Sequence, residues 1–282
     1  MSFLNKFLFN FNKVEVYLIE SDSDKEFVLD SLENENIIGI DTEFDWRNTY
    51  FPNLSLIQIS TSNKIILIDC QRCKNLDYLK EILEKENRLC IFHSVRSDTT
   101  VLFTSLNIKI SNVFDIQIAD KLISNNEIKS YASIVEFYCS LRLSKTETNS
   151  NWLKRPFSDE QLEYAANDVK YLIQIYKKQL KVLKKLKVVK KAFEISKKEA
   201  DLGNKELYIS RLNKMKKNSK KEKNLFLWRE KVASKLNVPP SYIYKDKQKK
   251  ILFNSIMIKN EGKIFDILKN KELTKDLLKE FD

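Results

Sequence analysis

Three glycines in 282 residues, Gly39, Gly203 and Gly262, leave nowhere to write a phosphate-binding P-loop or a G-x-G-x-x-G dinucleotide turn. A nucleotide-driven motor is therefore excluded. Histidine is scarcer still, with His93 alone. Cys70, Cys73, Cys90 and Cys139 are too few for a disulfide scaffold in a chain this long and read as reduced thiols. Cys70 and Cys73 form one C-x-x-C, but no second Cys or His pair exists to complete a tetrahedral zinc site. No apolar run approaches the length of a membrane span, and the start, MSFLNKFLFNFNK, is broken by Asn and Lys and lacks a small-residue cleavage site. The expectation is a cytoplasmic protein with no membrane partner.

With 43% apolar residues, the chain has material for one large domain and a smaller one. Its formal charge of +11 is unevenly placed. Residues 1–175 carry 19 basic and 26 acidic side chains, whereas 176–282 carry 31 and 13. The basic half suits a polyanion, nucleic acid more than a membrane surface, because no Lys-rich stretch opposes a face of Trp and Phe. The acidic half would repel that polymer unless cations neutralise some of its carboxylates.

Alternating apolar runs predict strands at 14–19, 37–41, 54–60, 64–70, 88–93 and 113–115, with the 54–60 and 64–70 runs forming a hairpin beside 37–41. Helical spacing covers 76–87, 98–106 and 117–123, and the capping box Ser158-x-x-Gln161 opens a long helix through Tyr176. Together these describe an α/β fold with a mixed sheet of five or six strands flanked by helices and ending near residue 200. Residues 177–223 are Lys-dense and begin as a continuation of that helix, which suggests a spacer whose face lies along the domain and which Gly203 breaks. Beyond it, LFLWREKVASKLNVPP and the later apolar positions Ile251, Leu252, Ile256, Ile264 and Leu268 read as a small helical bundle, with Trp228 in its core.

Asp41-Thr42-Glu43 ends the run IIGI, and side chains two apart on a strand share a face. Two such carboxylates repel by roughly 4 kcal/mol at 4 Å under an effective dielectric near 20. A divalent cation removes that repulsion; the alternative is a pair of solvated strand-end acids. Tyr164 and Asp168 lie four apart on a helix and project together beside its apolar stripe. Asp98 follows a buried strand at a helix start, where an acid can also merely complement the macrodipole. The conjunction of three such elements favours a shared site.

The segments IIGIDTEF, FHSVRSD, VFDIQIA and NWLKRPFSDEQLEYAANDVKYL, in this order, resemble ribonuclease D, of the DEDD exonuclease superfamily. The resemblance covers about residues 15–180, and the Y-x-x-x-D form of the last motif matches the tyrosine subgroup. It implies a ribonuclease H-like fold and metal ligands at Asp41, Glu43, Asp98 and Asp168, with Tyr164 against the nucleophilic water. It further implies substrate contacts at Thr42, Phe44 and His93, although His93 also reads as a packing residue at a strand end. The stretch NLFLWREKVASKLNVPPSYIY resembles an HRDC domain, so residues 1–200 are expected to form the exonuclease domain and 201–282 a nucleic-acid-binding one. The chain departs from the family in having Ser144-Lys145 and Asn151-Trp152 where relatives have Asp-Lys and Asp-Trp.

Four oxygen ligands suit two Mg²⁺ or Mn²⁺ ions better than zinc. A phenol with a pKa near 10 is ionised in about one copy per thousand at pH 7, so Tyr164 is expected to orient the water while a metal activates it. The expected activity is 3′→5′ hydrolysis of RNA with a free 3′ end, tRNA precursors foremost, releasing nucleoside 5′-monophosphates. The alternatives are a catalytically inactive nucleic-acid-binding scaffold and a DNA-directed exonuclease like that of Werner-type helicases.

Overall fold

The protein is described by a computed structural model covering residues 6–11, 14–124, 127–143, 147 and 150–281, without the side chains of 6–11 and 210. Ser144 and Lys145, where the chain departs from its relatives, lie outside the described residues, as does the start of the N-terminal segment. Among the described residues the strands are β1 (Lys6–Phe11), β2 (Val14–Ile19), β3 (Ile37–Asp45), β4 (Asn53–Ser60), β5 (Lys64–Asp69), β6 (Leu89–Phe92) and β7 (Val113–Asp115). They form one mixed sheet in the order β1-β2-β5-β4-β3-β6-β7. The expected hairpin is present: β4 runs antiparallel to both β3 and β5. The sheet has one strand more than the sequence pattern gives, because β1 folds back antiparallel onto β2.

The helices of this part are α1 (Lys25–Leu32), α2 (Tyr78–Leu83), α3 (Val95–Leu106), α4 (Ile116–Ile123), α5 (Tyr131–Cys139), α6 (Asp159–Lys170), α7 (Leu172–Lys185) and α8 (Val189–Gly203). Two apolar layers cover the sheet. On one face Ile38, Ile40, Ile57 and Ile59 pack with Val28, Val101 and Leu102; on the other Leu56, Ile65, Leu67 and Ile91 pack with Leu162, Ala165, Val169 and Leu172. Period-2 alternation along buried strands gives each face its own set of side chains.

Two expectations are corrected. The helix opened by Ser158 does not run unbroken through Tyr176: it ends at Lys170, and Tyr171 caps α6 while opening α7. The Lys-dense stretch lies along the domain as expected, but as a separate helix and not as one continuation of the helix before it. Lys187, at φ 57°, turns the chain into α8, whose Ala192 and Ala200 are fully buried and which lies along α3 and β7.

The chain divides into two compact units, Met1–Asp45 with Asn53–Lys205, and Trp46–Pro52 with Glu206–Asp282. The second contains α9 (Ile209–Lys214), α10 (Lys220–Leu236), α11 (Pro240–Ile243), α12 (Lys249–Met257), α13 (Glu261–Leu268) and α14 (Lys271–Phe281). Its core gathers Leu225, Trp228, Leu252, Ile256, Ile264 and Leu277 with Tyr50 from the β3–β4 loop. Trp228 is buried, as expected, and its Nε1 donates to Asp276 at 2.7 Å. The backbone N–H groups of Tyr50 and Phe51 both donate to Asn237 Oδ1 at 3.1 Å, and the Tyr50 hydroxyl donates to the buried Glu230 at 2.9 Å.

Gly203 ends α8 where a Cβ would stand 2.0 Å from Thr99 Oγ1 and 2.7 Å from the Arg96 carbonyl oxygen. Gly203→Ala should therefore destabilise by about 1–3 kcal/mol and lower the thermal midpoint by roughly 2–10 °C. An unchanged midpoint in a thermal melt would contradict this packing.

Candidate active site

Strand β3 outruns its parallel neighbour. β6 pairs with it only from Ile37 to Gly39, so from Ile40 onward β3 has β4 on one side and no strand partner on the other. Alternation then divides its residues. Ile37, Gly39, Asp41 and Glu43 face α6 and α7, and a Cβ on Gly39 would meet Leu172 at 3.1 Å. Ile38, Ile40 and Thr42 face the opposite layer, where α3 begins.

Helix α6 brings the next acid. Its start is fixed by the capping box: Ser158 Oγ accepts from Gln161 N at 3.2 Å while Gln161 Oε1 accepts from Ser158 N at 3.1 Å. Its end is held to β4, where Ser60 Oγ donates to the Val169 carbonyl at 2.8 Å. The preceding segment is tied to the sheet by Arg155, which makes a two-pronged ion pair with the buried Asp69 at 2.5 and 2.8 Å. Between these anchors Tyr164 and Asp168 project into a cleft of about 880 Å³ that Asp41, Thr42, Glu43 and His93 also line.

Asp41, Glu43 and Asp168 offer carboxylate oxygens that all lie within 4.8 Å of one another, close enough to share a divalent cation. Asp98 is not in that set of three. It is buried in the first turn of α3, accepts from Thr42 Oγ1 at 2.7 Å and shares a hydrogen bond with Asp41. The Tyr164 hydroxyl hydrogen-bonds Asp168, and its ring centroid lies 6.0 Å from that of the buried Trp152. The acids at the three expected positions thus meet at one strand end, with Asp98 bound to the triad through Asp41.

The expected substrate contacts divide. Thr42 and His93 line the cleft, whereas Phe44 is not among its lining residues and packs on the core layer of the opposite face. The His93 ring meets Tyr131 edge-on at 5.6 Å, and its Nε2 lies 3.2 Å from Gln117 Nε2. Burial lowers its pKa, so it stands neutral. Packing and cleft wall are the same residue here.

Asp115, quoted in VFDIQIA but given no role from sequence, holds the site's frame. Its buried carboxylate accepts from Ser94 N, Val95 N and Gln117 N at 3.1, 2.9 and 2.8 Å, capping α3 and α4 together. An acid directly before an apolar helical run is an N-cap signal, which could have found the α4 half of this role. The α3 half depends on β6 and β7 lying side by side, which no local pattern announces.

Residues 16–184 match the family model described as 3′-5′ exonuclease, more than half of the chain. The chain belongs to the 3′-5′ exonuclease family. Ribonuclease D of Desulfotalea psychrophila is 33% identical over 156 residues, 55% of this chain but only 42% of that protein's length. The crystal structure of Escherichia coli RNase D superposes with a TM-score of 0.79 at 21% identity, covering 92% of this chain and 74% of that one. Brucella melitensis NrnC with bound Mg²⁺ superposes with a TM-score of 0.59 at 24% identity, covering 72% and 97%. The two superpositions carry the fold, the same mixed sheet flanked by helices. No helix among the described residues is long and apolar enough to cross a membrane.

The clustered acids raise one another's proton affinity. Burial, then the neighbouring carboxylates, push Glu43 up to about 9 and hold Asp41 well above the usual range. Burial likewise raises Asp98 and Asp168 to about 7, although hydrogen bonds from Thr42 and Tyr164 pull the other way. Without metal, the folded protein therefore binds protons that the unfolded chain releases above the ordinary carboxylate range, and stability falls as pH rises. Melts in EDTA should show the midpoint dropping between about pH 5 and pH 9, and Mg²⁺ or Mn²⁺ should restore it most at the alkaline end. Asp168→Asn should raise the midpoint in EDTA at pH 8 by relieving buried repulsion. A midpoint that rises with pH in EDTA would refute the clustered, desolvated acids.

Proposed function

We propose that this chain is a metal-dependent 3′→5′ exoribonuclease that removes nucleoside 5′-monophosphates one at a time from RNA with a free 3′ end. The observation that carries the reading is the meeting of Asp41, Glu43 and Asp168 within 4.8 Å, with Asp98 bonded to Asp41 and Tyr164 to Asp168. An all-oxygen donor set with raised proton affinity suits hard divalent cations, Mg²⁺ or Mn²⁺, and does not suit zinc. Binding of Mg²⁺ by NrnC supports the choice. Asp41, Glu43, Asp98 and Asp168 would hold two ions. When bound, such ions lower the pKa of a coordinated water and stabilise charge on a departing oxygen.

The chain's own residues do the rest. Tyr164, set between Asp168 and the Trp152 ring, orients the attacking water through its hydroxyl. Thr42 holds Asp98 in place by donating a hydrogen bond to its carboxylate. Neutral His93 and Tyr131 form the wall against which the terminal nucleotide is placed. The description of E. coli RNase D as an exoribonuclease involved in structured RNA processing, and the name ribonuclease D on the curated relative, favour RNA over DNA. The structured substrate we favour is the 3′ end of tRNA precursors. The helical residues from Glu206 on, HRDC-like in sequence, would add non-specific hold on the backbone through their excess of lysine.

The test is digestion of a 5′-labelled RNA and a DNA of the same sequence, with Mg²⁺, with Mn²⁺ and with EDTA. RNA should shorten stepwise from its 3′ end only with metal. Asp41→Asn or Asp168→Asn should lower kcat/KM at least about 100-fold, the scale of a lost metal's charge stabilisation. Tyr164→Phe should lower kcat about 10- to 100-fold with little change in KM, as expected for a misplaced water. Unshortened RNA with wild-type protein would favour an inactive scaffold, and faster loss of the DNA would make it a DNA-directed enzyme.

A further inference from the structure

The cleft poses an electrostatic problem. Asp41, Glu43, Glu160, Glu163 and Asp168 line it, and among the described residues Arg142 is its only cationic side chain. Arg142 is itself engaged, donating to Glu136 at 2.8 Å. Bound divalent ions would offset part of the acidic charge, but they sit with the terminal nucleotide. The phosphates of the strand behind it find one arginine and two glutamates.

A second cavity, of about 360 Å³, adjoins the cleft within the same unit and has the opposite character. The dividing ridge is made by His93 on the cleft side and its chain neighbour Ser94 and hydrogen-bond partner Gln117 on the other. The cavity opens outside the carboxyl ends of the parallel strands β6 and β7, where open α/β sheets commonly take ligands. Helical spacing builds its lining. On α4, Ile118 and Leu122 lie four apart beside Lys121; on α8, Ile195 lies one turn after Lys191. The three apolar side chains and Lys121 are half-buried, Lys191 is exposed, and all five line the cavity.

The remaining charges there are already satisfied. Arg96 pairs with Glu199, and Asp115 is saturated by backbone N–H groups. Among the described residues neither Lys121 nor Lys191 takes part in an ion pair. Two lysines outside any ion pair, in a cavity that Ile118, Leu122 and Ile195 also line, suit a flat base flanked by phosphates.

We propose that this cavity is a subsite for a nucleotide of the RNA strand upstream of the 3′ end, its base on Ile118, Leu122 and Ile195 and its phosphates on Lys121 and Lys191. The inference rests on the exoribonuclease reading for the direction of the strand. Continuity decides for a strand over a free nucleotide: a chain whose end lies in the acidic cleft meets this basic hollow directly across the His93–Gln117 ridge.

Binding in EDTA separates this claim from the catalytic one, because no cleavage is needed. Fluorescence anisotropy is read for a labelled 12-nucleotide RNA and a labelled dinucleotide against the wild type, K121A/K191A and the control K80A/K85A, which removes two exposed lysines from the region of α2. The 12-mer should bind K121A/K191A about tenfold more weakly, and the slope of log affinity against log salt should fall by about 1.4, two single-strand phosphate contacts. Its affinity for K80A/K85A should stay within about twofold, as should that of the dinucleotide for both variants. Equal losses in the two double variants would overturn the subsite, and so would a dinucleotide weakened as much as the 12-mer. Displacement of the 12-mer by 5′-AMP from wild type but not from K121A/K191A would make the cavity a free-nucleotide site and also overturn it. Absence of RNA shortening with Mg²⁺ would sink the exonuclease reading while leaving these binding results standing.

Discussion

Like charges held together are the constraint around which the site is built. Asp41, Glu43 and Asp168 keep oxygens within 4.8 Å of one another, and Asp98 touches Asp41. A flexible loop would let such groups drift apart, because nothing in their own interaction favours proximity until a cation arrives. The protein therefore places none of them on a loop. Two stand on a strand paired to β4, one in the first turn of α3 and one in the last turns of α6. Each support is then fastened separately: α3 and α4 by the Asp115 carboxylate, α6 by its capping box and by Ser60, and the entry to α6 by the Arg155–Asp69 pair. Most of these fastenings are neutral or already paired, so they add no free charge to a site that has too much of one sign.

The second unit solves a different problem. Its residues include a buried glutamate, Glu230, compensated from two sides: Arg211 donates to it at 2.7 Å and the Tyr50 hydroxyl at 2.9 Å. A buried carboxylate with one partner removed is far costlier than the pair intact. Tyr50 also belongs to this unit's apolar core, and Asn237, at φ 49° past the end of α10, receives the loop's backbone donors. The loop from Trp46 to Pro52, which leaves β3 three residues after Glu43, is thus organised by helical-unit residues far away in sequence.

Local patterns made part of this legible. The strand carrying Asp41 and Glu43 was readable because period-2 alternation and a run of IIGI need no partner to be recognised. The pairing of Tyr164 with Asp168 was readable because four residues make one helical turn. Long-range facts left weaker traces. Strand β1 pairs with β2 through residues that could equally have been an unstructured start. The kink at Tyr171 interrupts a segment whose apolar spacing continues smoothly through it. Phe44 was grouped with its neighbours by motif, yet alternation turns it onto the opposite layer, and a bulge between Glu43 and Phe44 shifts the register there. The membership of residues 46–52 in the helical unit has no signal in the segment itself, since the partners Glu230 and Asn237 lie about 180 residues on.

The position of the site follows from where the two apolar layers stop. Along β3 the odd-numbered side chains continue the core as far as Gly39, whose missing Cβ lets Leu172 and Ser60 close in. At the next odd position the residue is Asp41, so on this face the change from apolar to acidic falls where β6 ceases to pair. Carboxylates one register earlier would be sealed beneath α7 and could hold neither ion nor substrate. One register later they would stand beyond the reach of Asp98 on α3. What makes 41 and 43 the usable ones is the length of the neighbouring strand, four residues, which sets how much of β3 is left open at a depth that still desolvates the acids.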